Sequence, residues 1–112
     1  NTVHLRDEKR AAGYLEFEKA RVRWFLSVDE IDLPDSVKVS GLSTFRSLTS
    51  NGKTIEFSKG FTDLHNLSYE AIISGNGFGI EENRCAVEAV SKIRTADIVS
   101  TGEKHPFLNG VK

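Results

Sequence analysis

The sequence contains no methionine, one cysteine and one tryptophan among 112 residues. Cys85 alone forbids an intrachain disulfide and favours a reducing compartment. No apolar run approaches the roughly 18 residues of a membrane span, and no signal-peptide h-region is present. An excess of either charge is also missing: 15 Lys and Arg stand against 16 Asp and Glu, a formal net charge of −1. That balance removes the electrostatic footprint of a general nucleic-acid binder. Neither a membrane nor a nucleic acid is therefore expected as a partner. What is present, 38% hydrophobic and 28% charged residues, fits one soluble cytoplasmic domain. The missing methionine and the opening Asn1 suggest a processed or excised piece.

The first half reads as strands. Thr2-Val3-His4-Leu5-Arg6 alternates apolar and polar residues, and Asp7-Glu8-Lys9-Arg10 follows as a charged connection. Tyr14 to Glu18 and Arg21 to Val28 show the same period of two, with aromatic and β-branched residues, around a short turn at Glu18 to Arg21. Asp29 to Ser43 is irregular. Within it Asp32 is expected to cap a single helical turn, with Pro34 near the first helical position and Gly41 at the end. Thr44 to Thr49 and Lys53 to Phe57 flank Asn51-Gly52, the chemistry of a type I′ hairpin turn. From Thr62 the period becomes helical: Leu64, Leu67, Ala71 and Ile72 share a face, Thr62 can cap the start, and Gly75 can close the end. A second helix is predicted from about Glu81 to Arg94, with Ala86, Val90 and Ile93 on one face. Ile98-Val99 can add a short edge strand, and the end of the chain reads as loop.

The expected fold class is α+β: an open, mostly antiparallel sheet of about five strands with two C-terminal helices on one face. Val22, Trp24, Leu26 and Val28 point to one side of the central strand, where the helices can cover them. Phe25 points to the other, among Arg21, Arg23 and Ser27, and needs solvent or a partner there.

No constellation assembles a catalytic set. Gly75-Asn76-Gly77-Phe78-Gly79 follows a helix and has the spacing G-x-G-x-G, so a helix–helix turn explains it better than a dinucleotide fingerprint. His4, His65 and His105 lack neighbours at metal-ligand spacing, and no metal is expected. Cys85 on an apolar helix stripe reads as a packing thiol. Arg21, Arg23 and Arg46 suit an anionic surface, although solvent-facing arginines pairing with Glu16 and Glu18 explain them more simply. Gly60-Phe61-Thr62-Asp63-Leu64-His65 runs from a strand end into a helix N-terminus, where an anion is favoured and where Thr62 and Asp63 are ordinary caps.

Three stretches resemble a known family. They are Gly13 to Ser27 followed by Asp32-Leu33-Pro34, then Ile55 to His65, then Gly75 to Glu82. In this order they are similar to the C-terminal domain of the glucose-fructose oxidoreductase-like (Gfo/Idh/MocA) dehydrogenases. The subgroup they resemble is the UDP-N-acetyl-2-amino-2-deoxy-D-glucuronate 3-dehydrogenases of bacterial O-antigen and lipopolysaccharide biosynthesis. The resemblance extends from about Val3 through Pro106.

It implies that residues 1–112 are the C-terminal sheet domain, for substrate and oligomer contacts, of a larger NAD-dependent oxidoreductase. The implied reaction of the parent is oxidation at C3 of a UDP-N-acetylglucosaminuronate-type sugar. The family's N-terminal Rossmann domain is absent, as are its glycine fingerprint and the segments carrying its catalytic lysine and histidine. No catalytic residue is therefore carried over, and this segment is expected to bind no NAD and to be inactive alone. Substrate-facing residues are expected among Arg23, Thr62, Asp63 and His65. The resemblance also implies a homo-oligomer through the sheet face, with Arg21, Arg23 and Phe25 at the contact. The competing reading is a stand-alone binding or assembly module that associates through its sheet.

Overall fold

A single carboxylate sets the first turn of the chain, whose computed structural model describes residues 1–60 and 62–110. Asp7 Oδ1 accepts the backbone N–H groups of Lys9 at 2.8 Å and Arg10 at 2.7 Å. Those two amides, the one from Lys9 foremost, hold its carboxyl below the usual value. The turn joins β1 (Thr2–Arg6) to β2 (Arg10–Glu16), and a second tight turn leads to β3 (Arg21–Ser27). There Phe17 N–H donates to the Ala20 carbonyl at 2.8 Å, as the short Glu18 to Arg21 connection predicts. β2 begins four residues before the expected Tyr14, because Ala11, Ala12 and Gly13 also pair with both neighbouring strands. The three strands form an antiparallel sheet in sequence order.

The chain divides into two compact units, one of residues 1–29 and 81–112, the other of residues 30–80. In the first, Val3 and Ala12 are fully buried. The predicted Ile98-Val99 edge is a single parallel bridge to Val3, with Val99 N–H donating to the Val3 carbonyl at 2.8 Å. α3 (Ile80–Thr95) matches the predicted helix to within a residue at each end. Its C-terminal carbonyls find a cation from far away in sequence. The Arg6 guanidinium donates to the carbonyls of Ile93 at 3.1 Å, Arg94 at 3.0 Å and Ala96 at 2.9 Å. A positive charge there satisfies free acceptors and opposes the negative end of the helix dipole. Arg6→Met keeps the aliphatic stem and removes the donors. It should cost about 1–2 kcal/mol in chemical denaturation of the protein.

In the second unit the irregular stretch contains a 3₁₀ turn over Glu30–Asp32 and α1 (Asp35–Val39). Pro34 occupies the N-cap in place of the expected Asp32, and no side chain caps the helix. Gly41 ends it as predicted, with φ of 72°. The Asn51-Gly52 hairpin also forms as predicted. β4 (Ser47–Ser50) and β5 (Lys53–Glu56) are joined with φ of 49° and 77° at the two turn residues. α2 (Leu64–Ile73) ends at Gly75, whose positive φ lets Asn76 N–H reach back to the Ala71 carbonyl at 2.8 Å.

Two parts of the expected architecture need correction. The strands form two antiparallel sheets, of three and two strands, rather than one open sheet of five. The β3 ladder stops at Ser27, and the turn and helix around Pro34 take the chain into the second unit before the next strand starts. α2 falls in the second unit, and α3 leaves Val87 and Val90 exposed. Leu26 and Val28, expected under those helices, are also exposed. The expected loop at the chain end is a 3₁₀ turn over Pro106–Gly110, and Val111 and Lys112 lie outside the described residues.

Candidate functional site

The helix entry around Thr62 is the first candidate. Gly60 and Asp63 both take left-handed backbone, with φ of 74° and 62°, and the chain turns sharply into α2. Asp63 stands at the N-cap and its side chain makes no capping bond. The expected capping by Thr62 is therefore corrected: Thr62 lies one residue before the N-cap position. In left-handed backbone the Asp63 side chain forms no bond to the first-turn amides, so the capping expected of that residue type is not realised. The Asp63 carbonyl closes the first turn instead, accepting from Leu67 N–H at 3.0 Å. Thr62, Asp63 and His65 are all exposed at this end of α2. Phe61, inside the same motif, lies outside the described residues. Arg23, the fourth residue expected to face a substrate, belongs to the first unit on β3 and is exposed there.

The second candidate is the face of β3 carrying Arg21, Arg23 and Phe25. Alternation in a strand puts these three side chains on one side. Opposite them lies a segment with the same spacing: Glu103, His105 and Phe107. Arg21 meets Glu103 at 3.5 Å. Phe25 stacks on the His105 ring at a centroid distance of 5.8 Å and meets Phe107 edge-on at 5.5 Å. His105 and Phe107 are themselves perpendicular at 5.2 Å. Phe107 N–H donates to His105 Nδ1 at 3.3 Å, and the Nε2 proton of His4 reaches the Thr101 carbonyl at 2.8 Å. Burial among these rings, with the Arg23 guanidinium as a second cause, pushes the His105 imidazole below its usual value of 6.5. Phe25 is therefore half-buried against its own chain rather than left bare, as the sequence suggests.

Glu103, His105 and Phe107 escape a reading of the sequence because they are about 80 residues from their partners. The signal that points to them is their own period of two, opposite in charge to Arg21 at one end and aromatic at the other.

Neither place assembles a nucleophile with a base, and no cluster of metal-ligating side chains occurs among the described residues. The glycine segment does not fit a dinucleotide. Gly75 closes α2, and a side chain at Gly77 would press on Ile72, whose Cγ1 is 3.0 Å from where its Cβ would stand. The positive φ of Gly75 and the close packing at Gly77 explain the two glycines. Cys85, expected as a packing thiol, is exposed on α3. Of the same stripe, Val90 is also exposed and Ile93 is partly buried.

The first unit is a small antiparallel sheet with a following helix, and the second holds a hairpin and a helix. A crystal structure of the WlbA (WbpB) dehydrogenase from Thermus thermophilus in complex with NAD and α-ketoglutarate is similar to this chain with a TM-score of 0.89 and 42% identity. A second structure of that enzyme, in complex with NAD and UDP-GlcNAcA, is similar with a TM-score of 0.89 and 40% identity. Each match covers 95% of this chain, and the chain spans about a third of the length of those dehydrogenases, 35% and 34% respectively. No family model matches the sequence. Over nearly all its length the chain is thus similar to part of a Gfo/Idh/MocA-family dehydrogenase, the family that its motifs resemble.

Proposed function

We propose that this chain is the C-terminal sheet domain of an NAD-dependent dehydrogenase that oxidises C3 of a UDP-N-acetylglucosaminuronate-type sugar. The observation that carries this reading is the 40% identity, over 95% of the chain, to a dehydrogenase crystallised with NAD and UDP-GlcNAcA. On this reading NAD and the catalytic groups belong to the rest of the enzyme, as the family resemblance implies. Surface-polysaccharide biosynthesis in the cytoplasm is the setting that this substrate class fits. Among the described residues no helix is long and apolar enough to cross a membrane.

The role of this domain is to supply one wall of the sugar-nucleotide site and a contact between subunits. Thr62, Asp63 and His65 present a hydroxyl, a carboxylate and an imidazole beside the open amides of the α2 start, where an anionic substrate is favoured. Arg23, on β3 of the first unit, carries a guanidinium suited to a carboxylate or a phosphate. The subunit contact uses the β3 face, where Arg21 and Arg23 frame Phe25 and the segment packed on it.

The test is a pair of assays. The full-length protein should reduce NAD with UDP-GlcNAcA, whereas residues 1–112 alone should neither do so nor bind NAD at micromolar concentration in a calorimeter. In the full-length protein His65→Ala should raise the KM for the sugar nucleotide about tenfold, the loss of one hydrogen bond to a charged group, with the melting temperature nearly unchanged. Unchanged kinetics with a lowered melting temperature would make His65 a structural residue.

A further inference from the structure

We propose that residues 101–108 form a strap latched over the Phe25 face by neutral His105, and that a proton on His105 loosens it. The geometry is that of a latch with His105 at its centre. His4 holds the strap near its start through the Thr101 carbonyl, and Arg21 holds it by Glu103. At the centre, His105 lies between Phe25 and Phe107 and accepts the Phe107 N–H on Nδ1. That bond turns the strap at Pro106, and Leu108 N–H closes the turn on the His105 carbonyl at 3.0 Å.

Protonation turns Nδ1 from acceptor into donor, facing another donor at 3.3 Å. It also places a second positive charge by Arg23 in a half-buried position. The strap's only carboxylate, Glu103, is engaged by Arg21, while the neighbouring Lys104 adds positive charge. Stacking of an imidazolium on Phe25 offsets part of this loss. The lost acceptor, the desolvated charge and the Arg23 repulsion outweigh it. The sign follows: a histidine held below its ordinary value favours the closed state fully above about pH 6.5 and progressively less as pH falls below it. One proton limits the change to about tenfold per pH unit. Opening would uncover Phe25 and free Arg21 from Glu103, so the same device would change the surface offered to a second subunit at low pH.

Limited trypsinolysis of the full-length protein, read by mass spectrometry at the Lys104–His105 bond, tests the latch. Rates are normalised to the denatured protein at each pH. Cleavage should rise several-fold between pH 7.5 and 5.5 in the wild type. His105→Asn keeps an acceptor for the Phe107 N–H in an Asx turn and cannot titrate, so its cleavage should stay flat. A flat wild-type profile, or the same rise in His105→Asn, overturns the proposal. Should the variant misfold, imidazole NMR of the wild type serves instead. A His105 titrating below the model-peptide value supports the latch, and one titrating at or above it rejects it.

Discussion

Expressed as a separate polypeptide, residues 1–112 should unfold without a sharp transition, bind a hydrophobic dye strongly and associate as concentration rises. The reason is the small share of apolar surface that the chain removes from water by itself. Its buried hydrophobic residues are Val3, Ala12 and Val37 among the described residues. Val39, Ile73, Val28, Phe78 and Ile80 are 80–90% exposed. Burial of each such side chain is worth about 1.5–3 kcal/mol, so these five alone forgo about 7–15 kcal/mol. That equals the whole net stability of an ordinary domain, about 5–15 kcal/mol. On the proposed function, the rest of the dehydrogenase supplies the cover. Differential scanning calorimetry of the piece and of the full-length protein separates the outcomes. A sharp transition in the piece, at the melting temperature of the whole, would mean that the exposed groups need no cover.

Gly13→Ala should be the most damaging single-methyl change in the sheet, costing about 3 kcal/mol in the full-length protein. Gly13 pairs with Val3 on one side and Trp24 on the other, in the middle of the sheet. An added Cβ would stand 2.7 Å from Trp24 Cζ2 and in contact with the Thr2 carbonyl oxygen. The indole can swing only by leaving its place across the glycine, and the carbonyl belongs to the β1 backbone. The strand is irregular there, with a bulge between Val3 and Leu5. Trp24 Nε1 is already buried without a hydrogen-bond partner among the described residues. Denaturant titration monitored by tryptophan fluorescence should show a lowered midpoint. A shift under 1 kcal/mol would mean that the sheet relaxes around the methyl group.

Local chemistry was legible wherever a residue type has few alternatives. Asn51-Gly52 allowed one hairpin turn, and Gly41 and Gly75 ended helices because each stop needs positive φ. The helix entry was less legible. Thr62 and Asp63 are good capping residues, yet the left-handed backbone at Asp63 leaves no capping bond. The choice between capping and turning sharply depends on where Gly60 sends the chain. For the candidate site, the alternation of β3 correctly placed Arg21, Arg23 and Phe25 on one face. What would lie on that face was invisible, because Glu103, His105 and Phe107 come from the far end of the chain.

The sequence by itself determined the antiparallel strands, the hairpin, the helix spans and, through its motifs, the resemblance to an oxidoreductase family, because these depend on short-range periodicity and on residue identity. Only the tertiary structure decided that the strands divide into two sheets, that Arg6 closes α3, and that Phe25 is covered while Leu26 is bare. These are contacts between residues up to about 90 positions apart. Their energies depend on which surfaces meet, and the pattern along a strand records which way a side chain points but not what it will find there.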